Sequence, residues 1–413
     1  MTISIVVLTI VLLLIAVRQV ENIRLQIWQI MSGGAIAVLI TGQISPPDAI
    51  KSVNFDIIFF LLGMFIVGEA LERSGYLSYL AYNFFKWAKN TDSLLLMIIF
   101  GMGLLSIFLM NDTVAIIGTP VVLILAEKNN LPPKLLLLAL AFAVTIGSVM
   151  SPLGNPQNLL IAVNSNVNNI FAIFGKYLII PTIINLLLAF FLLKFFYRNS
   201  FHKITLNSIP EKGNNRRLTL LSKLSLGIIL FLVFLKIILL FLKFPIDFKL
   251  TYIALAAAMP IILFSNERVE IIKRVDWHTL IFFVSMFVLM QSVWNTGIFQ
   301  NMLSKTDVSI TSILMILAVS VVLSQLISNV PLVALYLPLL LNLGVSTKGL
   351  MALAAGSTIA GNLFIFGAAS NIIIIQNAEK RGEKTLTFWE FSKVGIPLTI
   401  INFLIYYLYL RVL

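Results

Sequence analysis

The chain has 413 residues, of which 59% are hydrophobic and 11% charged, with a formal net charge of +12 and no cysteine. So much apolar surface excludes an ordinary soluble protein, and apolar runs that are continuous rather than alternating exclude a β-barrel. The absence of cysteine excludes a disulfide framework, a thiolate metal site and a thiol redox motif. The positive charge predicts cytoplasmic loops rather than nucleic-acid binding, because no basic cluster is interleaved with exposed aromatics.

The order of apolar segments predicts an all-α, multi-pass membrane protein built from two halves. Residues 1–197 hold six apolar segments, and residues 224–413 hold six more in matching order. A basic, polar linker at 198–223 separates them. The first segment, residues 3–17, is predicted to be a retained span, since it lacks the charged start and cleavage site of a signal peptide.

A constant offset relates polar residues of the two halves. Three pairs of residues are each separated by 213 positions: Thr145 and Thr358, Gly154 and Gly367, and Asn158 and Asn371. The tetrapeptide Thr-Ile-Ile-Asn likewise ends at Asn185 and at Asn402, where hydrogen bonds between helices are expected. Matches in the same order predict an internal repeat.

Two apolar segments, 92–126 and 309–345, are too long for a single span. Each carries an Asn near its middle, and its second arm falls short of the about 20 residues that a crossing needs. We therefore predict re-entrant hairpins with tips near Asn111 and Asn329, so that each half has five crossings plus one hairpin. An odd number of crossings inverts the second half relative to the first, as in inverted-repeat transporters.

Loop charge predicts the orientation. With the N-terminus outside, 20 of the 29 Lys and Arg residues lie in inside loops and span ends, 7 lie outside and 2 lie within spans. The positive-inside rule therefore places the central linker in the cytoplasm. We expect the membrane to be the plasma membrane.

Helix-breaking residues interrupt one long apolar segment in each half. The predicted first break (residues 145–158, TIGSVMSPLGNPQN) lies within 135–164, and the predicted second break (residues 358–371, TIAGNLFIFGAASN) lies within 349–378. Proline lacks the amide hydrogen that a helix needs, and glycine lowers helix stability. The residues predicted to break the helices are Gly154, Pro156 and Gly367. A bilayer tolerates such backbone only where protein or a water-filled cavity satisfies it, so both breaks are candidate ligand and ion sites.

Neutral polar side chains at the breaks are the candidate ligands for a solute. The half-helix after each break offers amides and partial positive charge to an anion or polar solute, whereas carbonyls before the break can ligate sodium. The candidate substrate contacts are Asn155, Gln157, Asn158, Asn329, Ser370 and Asn371. Expected around them are Thr145, Ser148, Ser151, Thr358 and Asn362.

Asp112 is the candidate for ion coupling, with its neighbours Asn111 and Thr113. A carboxylate at mid-membrane costs about 2.5–3.5 kcal/mol on insertion scales, so it usually serves an ion or proton path. Burial favours its protonated form and a bound cation favours its ionised form, so the group can exchange a proton for sodium or for substrate. The alternative is a protonated aspartate that only fixes the hairpin tip. Its counterpart in the second half is Val330, so the two hairpins differ chemically.

Three stretches of sequence resemble the arsenite permease / NhaD-type sodium–proton antiporter family, which is related to citrate and dicarboxylate symporters. They are NDTVAIIGTP (111–120), SPLGNPQNLLIA (151–162) and GSTIAGNLFIFGAASNIIIIQNAEKRG (356–382). The resemblance implies an elevator-type fold, in which a scaffold stays still while hairpins and broken helices carry the site across the membrane. It also implies substrate and ion binding at Asn158 and Asn371, a sodium ion near these residues and Asn111, and a homodimer in many members.

Three functions follow as expectations. The first is a permease that exports arsenite or antimonite against proton entry. The second is a sodium–proton antiporter in which Asp112 alternates between the two ions. The third is a citrate or dicarboxylate symporter, although the dicarboxylate branch has Ser-Asn-Thr where this chain has Gln157-Asn158-Leu159 and Ser370-Asn371-Ile372.

The sequence contains no Walker loop and no nucleophile–base constellation. We therefore expect no enzymatic activity and no cofactor other than a sodium ion. Transport is expected to be driven by ion gradients or by a partner ATPase in the cytoplasm.

Overall fold

The computed structural model describes residues 3–17, 19–20, 23–24, 26–165, 170–202, 216–241, 249–297, 311–382 and 385–413. The regular structure of the described chain is helical apart from one antiparallel pairing of two-residue strands, β1 (Gln19–Val20) and β2 (Ile23–Arg24). Residues 203–215, half of the predicted linker, lie outside the described residues.

The α-helices follow one another closely along the described chain. In order they are α1 (Ile3–Val17), α2 (Ile27–Ile40), α3 (Pro46–Ser52), α4 (Phe55–Arg73), α5 (Tyr76–Phe85), α6 (Thr91–Leu109), α7 (Asn111–Lys128), α8 (Pro133–Ser148), α9 (Pro156–Asn164), α10 (Ile170–Phe196), α11 (Arg216–Phe241), α12 (Leu250–Phe264), α13 (Arg268–Arg274), α14 (Trp277–Trp294), α15 (Ile313–Ile327), α16 (Asn329–Asn342), α17 (Thr347–Ile359), α18 (Ala369–Lys380) and α19 (Phe388–Val412).

The helices group into two compact units. Unit 1 comprises Met1–Ser74 and Gly213–Val308, and unit 2 comprises Gly75–Lys212 and Ser309–Leu413. Each unit therefore combines one segment from each half of the sequence. The predicted halves describe order along the chain, whereas the compact units arise from contacts between residues that are distant in sequence. The inverted repeat itself remains a prediction.

Within unit 1, close helix packing depends on small residues and on side-chain caps. A Cβ on Gly63 of α4 would lie 2.8 Å from the carbonyl of Ala254 in α12, so only glycine permits this crossing. Asn54 accepts from an amide in the first turn of α4, and Asp276 does the same for α14. These caps satisfy amides that have no partner within the helix.

Within unit 2, two helices form the centre of the packing. Every side chain from Leu135 to Ser148 on α8 is buried, and so is every side chain from Gly349 to Ile359 on α17. A helix that is apolar on all sides is buried on all sides, as the sequences of both helices predict. A Cβ on Gly147 would lie 2.3 Å from the carbonyl oxygen of Gly103, so α6 and α8 cross in backbone contact.

Five described helices are long and apolar enough to cross a membrane: α6, α10, α11, α14 and α19. The pair α3 and α4, bent by 55°, makes a sixth if it counts as one span. Six further apolar helices have 10–17 residues each, which is short of the about 20 residues of a full crossing. The described chain is thus a multi-pass membrane protein, and ten crossings in all remain a prediction.

The chain turns sharply at two equivalent points in unit 2. Helices α6 and α7 meet at Met110 with φ 62°, and α15 and α16 meet at Ser328 with φ 68°. Both turns precede the Asn residues predicted as hairpin tips, Asn111 and Asn329. Because α6 alone has 19 residues, enough for a full span, the re-entrant form of the first hairpin stays a prediction.

Candidate functional site

The first break separates α8 from α9. Helix α8 ends at Ser148, and α9 begins at Pro156, where the missing amide hydrogen of proline is harmless. A Cβ on Gly154 would lie 2.2 Å from the carbonyl oxygen of Ser148, so the returning chain fits only with glycine. Asn155 then caps α9, its side chain accepting from the amide of Asn158 at 2.8 Å.

Asn158 holds the first break together. Its Nδ2 lies 3.1 Å from the carbonyl oxygen of Ser148, 3.3 Å from that of Val149 and 3.0 Å from that of Ser151. These carbonyls lie at and just after the end of α8 and have no partner within that helix, although those of Ser148 and Ser151 also accept from backbone amides of the break. The side chain of Asn158 therefore replaces the helical hydrogen bonds that the break removes.

The second break has the same backbone plan. After α17 the chain forms short 3-10 turns at Ala360–Asn362 and Ile365–Gly367 and enters α18 at Ala369. Asn371 donates from Nδ2 to the carbonyl of Gly361 at 2.6 Å. Donor and acceptor each lie 213 residues after Asn158 and Ser148, so the same bond occurs in both breaks.

Thr358 connects the two breaks. Its Oγ1 accepts from Asn155 at 3.1 Å and from Gln157 at 3.4 Å, and it donates to Oδ1 of Asn158 at 3.4 Å. Thr145, the counterpart of Thr358, also lies against the second break, because a Cβ on Gly361 would lie 3.2 Å from its Cγ2. Side chains about 200 residues apart in sequence thus meet within unit 2.

The start of α7 lies against the first break. The amide of Asn111 donates to the carbonyl of Gly154 at 2.9 Å, and its Oδ1 accepts from the amide of Asp112 at 3.0 Å. Oδ1 of Asp112 is buried without a hydrogen-bond partner, and no ion pair of the described residues includes this carboxyl group. Thr113 is buried beside it in the first turn of α7. The structure therefore brings the coupling candidates to the first break.

The two breaks differ in how completely their polar atoms are paired. In the first break each of the following has a hydrogen-bond partner: Ser148, Ser151, Asn155, Gln157 and Asn158. In or facing the second break three buried oxygens have none: Oε1 of Gln325, Oγ of Ser370 and Oδ1 of Asn371. Oγ1 of Thr145, which starts the first break and lies against Gly361 of the second, has none either. Oδ1 of Asn329, at the start of α16, also has no partner. A buried polar group without a partner costs about 1–3 kcal/mol, so these oxygens favour a ligand that supplies donors or positive charge.

Sequence reasoning missed Gln325 on α15. Its Nε2 donates to the carbonyls of Val321 at 3.1 Å and Ala360 at 2.8 Å, which fixes the amide plane. A Cβ on Gly367 would then lie 2.8 Å from Oε1 of Gln325, so this oxygen faces the second break. The signal in the sequence was a single amide side chain in the largely apolar arm before Asn329.

Asn377 on α18 was missed as well. Pro120 has no amide hydrogen, so the carbonyl of Ile116, four residues earlier in α7, loses its helical partner. Nδ2 of Asn377 donates to that carbonyl at 3.2 Å. The half-helix after the second break is thereby bonded to the helix that carries Asp112. The signal in the sequence was Pro120 within a helical segment, which requires a donor from elsewhere.

Asn362 in the second break has a different partner from the other candidate site residues. Its side chain donates to Oδ1 of Asn402 at 3.3 Å instead of joining the residues around Thr358. In the described part of the chain, no group of three or more His, Cys, Asp or Glu side chains is placed to hold a metal ion.

Comparison with known proteins agrees with a membrane transporter. Residues 9–349 match the model of the citrate transporter family, CitMHS. The "46 kDa membrane protein" of Mycobacterium leprae (strain TN) is 28% identical over 93% of each chain. "Uncharacterized transporter Rv2684" of Mycobacterium tuberculosis (strain ATCC 25618 / H37Rv) is 28% identical over 91% of each chain. "Silicon efflux transporter LSI3" of Oryza sativa subsp. japonica is 26% identical over 89% of each chain.

The family match includes both hairpin segments and the first break, and it ends just before the second break. It extends over well more than half of the chain. With its paired helix breaks and apolar helices, this chain belongs to the citrate transporter family of membrane transport proteins.

Proposed function

We propose that this secondary transporter moves an uncharged, hydroxylated metalloid, arsenite or antimonite, coupled to a proton gradient. The observation that carries the proposal is the neutrality of the two breaks. Residues 145–158 and 358–371 contain no Lys, Arg or His. Citrate would bring several negative charges to these segments without an opposing charge, and unpaired buried charge is far more costly than a buried hydroxyl group.

The unpartnered oxygens support a solute that donates hydrogen bonds. Oγ1 of Thr145, Oε1 of Gln325 and Oδ1 of Asn371 all lie around the second break without a donor. Arsenous acid is neutral near pH 7 and presents three hydroxyl groups, which such oxygens accept. The relative named as a silicon efflux transporter supports the same class, because dissolved silicon is also an uncharged, hydroxylated acid.

Asp112 supplies the coupling group. It is the sole carboxyl group in the two breaks and in the turns at 110–113 and 328–331. A buried carboxyl group without a cation partner takes up a proton readily and releases it when solute or ion binding changes its surroundings. Proton entry through this group would drive export of the solute.

Unit 2 is the moving body in this proposal, and unit 1 is the scaffold. Every residue predicted to bind solute, couple ions or break a helix lies within Gly75–Lys212 or Ser309–Leu413. A site carried within one compact unit suits an elevator movement. The proposal keeps the N-terminus outside and the central linker in the cytoplasm.

A sodium–proton antiporter is the second candidate. The same three oxygens of Thr145, Gln325 and Asn371 favour it, because oxygen atoms at a helix break also suit a sodium ion. In that case Asp112 would alternate between a proton and sodium, and arsenite would not be moved.

The two candidates separate in proteoliposomes that contain the purified full chain and a pH-sensitive dye. We expect an outward or inward arsenite gradient to move protons in sodium-free buffer, with antimonite acting similarly and citrate without effect. Dissipation of a pH gradient by sodium in the absence of arsenite would instead establish the antiporter. Arsenite movement without ATP would also show that no partner ATPase is required.

A further inference from the structure

A second group of buried polar side chains lies in unit 2, away from the residues around Thr358. Helix α10 contributes Thr182 and Asn185, and α19 contributes Thr399, Asn402 and Tyr406. Asn362 joins them from the second break. We call these six residues the Asn185–Asn402 cluster; each is at most 2% exposed.

The cluster is poorly paired for its degree of burial. The hydroxyl groups of Thr182 and Tyr406 lie 2.6 Å apart, and Nδ2 of Asn362 donates to Oδ1 of Asn402 at 3.3 Å. Asn185 lies beside the Tyr406 hydroxyl group but neither of its amide atoms makes a well-formed hydrogen bond. The buried atoms without a partner are Nδ2 and Oδ1 of Asn185, Oδ1 of Asn362, Oγ1 of Thr399 and Nδ2 of Asn402.

Nearly all buried polar groups in folded proteins are hydrogen-bonded to protein or to ordered water. Five such atoms together therefore require a partner that the described side chains do not provide. Because both amide nitrogens and amide oxygens are unpaired, the partner must donate and accept. A cation would leave the nitrogens unpaired, and an anion would leave the oxygens unpaired. A water molecule does both, and buried waters in folded proteins bridge polar groups that otherwise lack partners.

We propose that the Asn185–Asn402 cluster is an internal water-binding site that hydrates the second break through Asn362. The position of Asn362 gives this site its relevance. Asn371 holds the carbonyl of Gly361 from one side, while the next residue, Asn362, reaches into the cluster from the other. The water site is thus one peptide unit from the backbone that binds Asn371, and it supplies exchangeable hydrogen bonds to that segment.

The cluster contains the same pair of polar residues on each of its two helices, which supports a specific binding site. Thr182 and Asn185 on α10 correspond to Thr399 and Asn402 on α19, with the same spacing and one offset of 217 residues. The two helices pack against each other within unit 2. Each helix thus brings the same pair of polar side chains to the place where they meet.

Radiolytic footprinting with mass spectrometry tests this proposal on the full chain in nanodiscs, without any added solute. Hydroxyl radicals generated from bound water oxidise an adjacent buried tyrosine, whereas a dry tyrosine is spared. We expect Tyr406, which is 0% exposed, to be oxidised in the unaltered chain. Trp87, which is 74% exposed, reports that radicals were produced.

The double variant Asn185→Leu/Asn402→Leu keeps side-chain size and removes the polar partners of water. We expect at least a several-fold loss of Tyr406 oxidation in this variant, with Trp87 unchanged. Thr399→Val provides a milder change if the double variant does not fold. The proposal is overturned if Tyr406 in the unaltered chain is spared while Trp87 is oxidised, or if Tyr406 oxidation persists unchanged in the folded double variant.

Discussion

The side-chain amide of Asn371 donates a hydrogen bond to the backbone carbonyl of Gly361, 2.6 Å away. The equivalent amide of Asn158 reaches three carbonyls and accepts from Thr358. The two breaks share one backbone arrangement, but more of the polar atoms have hydrogen-bond partners in the first break than in the second. The first break is suited to structural support, and the second retains oxygens for a ligand.

This difference predicts opposite consequences for two equivalent substitutions. Asn158→Leu removes the side-chain donor from three carbonyls, of which those of Ser148 and Ser151 keep a backbone donor and that of Val149 does not, and it should lower the free energy of unfolding by about 2 kcal/mol. Asn371→Leu removes one bond and one unpaired oxygen, so we expect a loss of about 1 kcal/mol at most. Thermal unfolding of both purified variants measures the stability, and arsenite-driven proton movement measures function. We expect Asn371→Leu to fold and fail in transport.

Equal destabilisation by the two substitutions would contradict the assignment of different roles. Asn164→Leu is a matched control, because its amide donates to the carbonyl of Leu160 on the exposed side of α9. That variant should retain both stability and transport.

Asp112→Asn should abolish proton coupling without unfolding the protein. The carboxyl group has an unpartnered buried oxygen, so its replacement by a neutral amide removes no ion pair of the described residues. A buried charge without a partner is itself destabilising, and the variant should melt at the same temperature or higher. In proteoliposomes, arsenite-dependent proton movement should fall to the level of protein-free vesicles.

Asp112→Glu serves as the matched control for this experiment, because it keeps the titratable group and should retain part of the coupling. If Asp112→Asn still couples arsenite movement to protons, the carboxyl group only fixes the start of α7.

The predicted orientation can be measured by cysteine labelling, since the chain has no cysteine of its own. Lys51 and Lys128 are both exposed, and the charge distribution places them outside and inside, respectively. A membrane-impermeant maleimide should label Lys51→Cys in intact cells and Lys128→Cys only after permeabilisation. The reverse pattern would place the N-terminus and the central linker on the opposite sides.

Local sequence patterns were enough to locate the helix breaks, because their cause is local. Pro156 cannot donate an amide hydrogen. Position 154 must be glycine because a Cβ there would collide with the carbonyl oxygen of Ser148, only six residues earlier. The constant offset of 213 residues likewise predicted which residues of the two breaks would be equivalent. These inferences need only the chemistry of the backbone and the comparison of two segments.

The contacts of Gln325 and Asn377 could not be predicted in the same way. Each donates to a carbonyl at least 35 residues away, and that proximity arises only when helices pack. The composition of the compact units has the same origin, because each joins segments from both halves of the chain. Asn158 and Asn371 match in sequence, and nothing in the sequence indicates that all the amide atoms of Asn158 have hydrogen-bond partners while Oδ1 of Asn371 has none.

Ser328→Gly should stabilise the protein by relieving backbone strain. Ser328 has φ 68° and ψ 158°, a combination that is rare outside glycine and costs about 1–3 kcal/mol in other residues. Its side chain makes no capping bond to α16, so little is lost on its removal. After allowance for the greater freedom of glycine in the unfolded chain, we expect a gain of about 1 kcal/mol.

Ser328→Ala is the matched control, because it also removes the hydroxyl group but retains a Cβ and therefore the strain. Thermal unfolding of the two purified variants should rank Ser328→Gly above the unaltered chain and Ser328→Ala at or below it. A lower melting temperature for Ser328→Gly than for Ser328→Ala would mean that this turn is unstrained. Met110, with φ 62° at the equivalent turn, is less suitable for the test because its side chain is buried. Replacing it with glycine would remove apolar packing worth about 2 kcal/mol and mask the relief of strain.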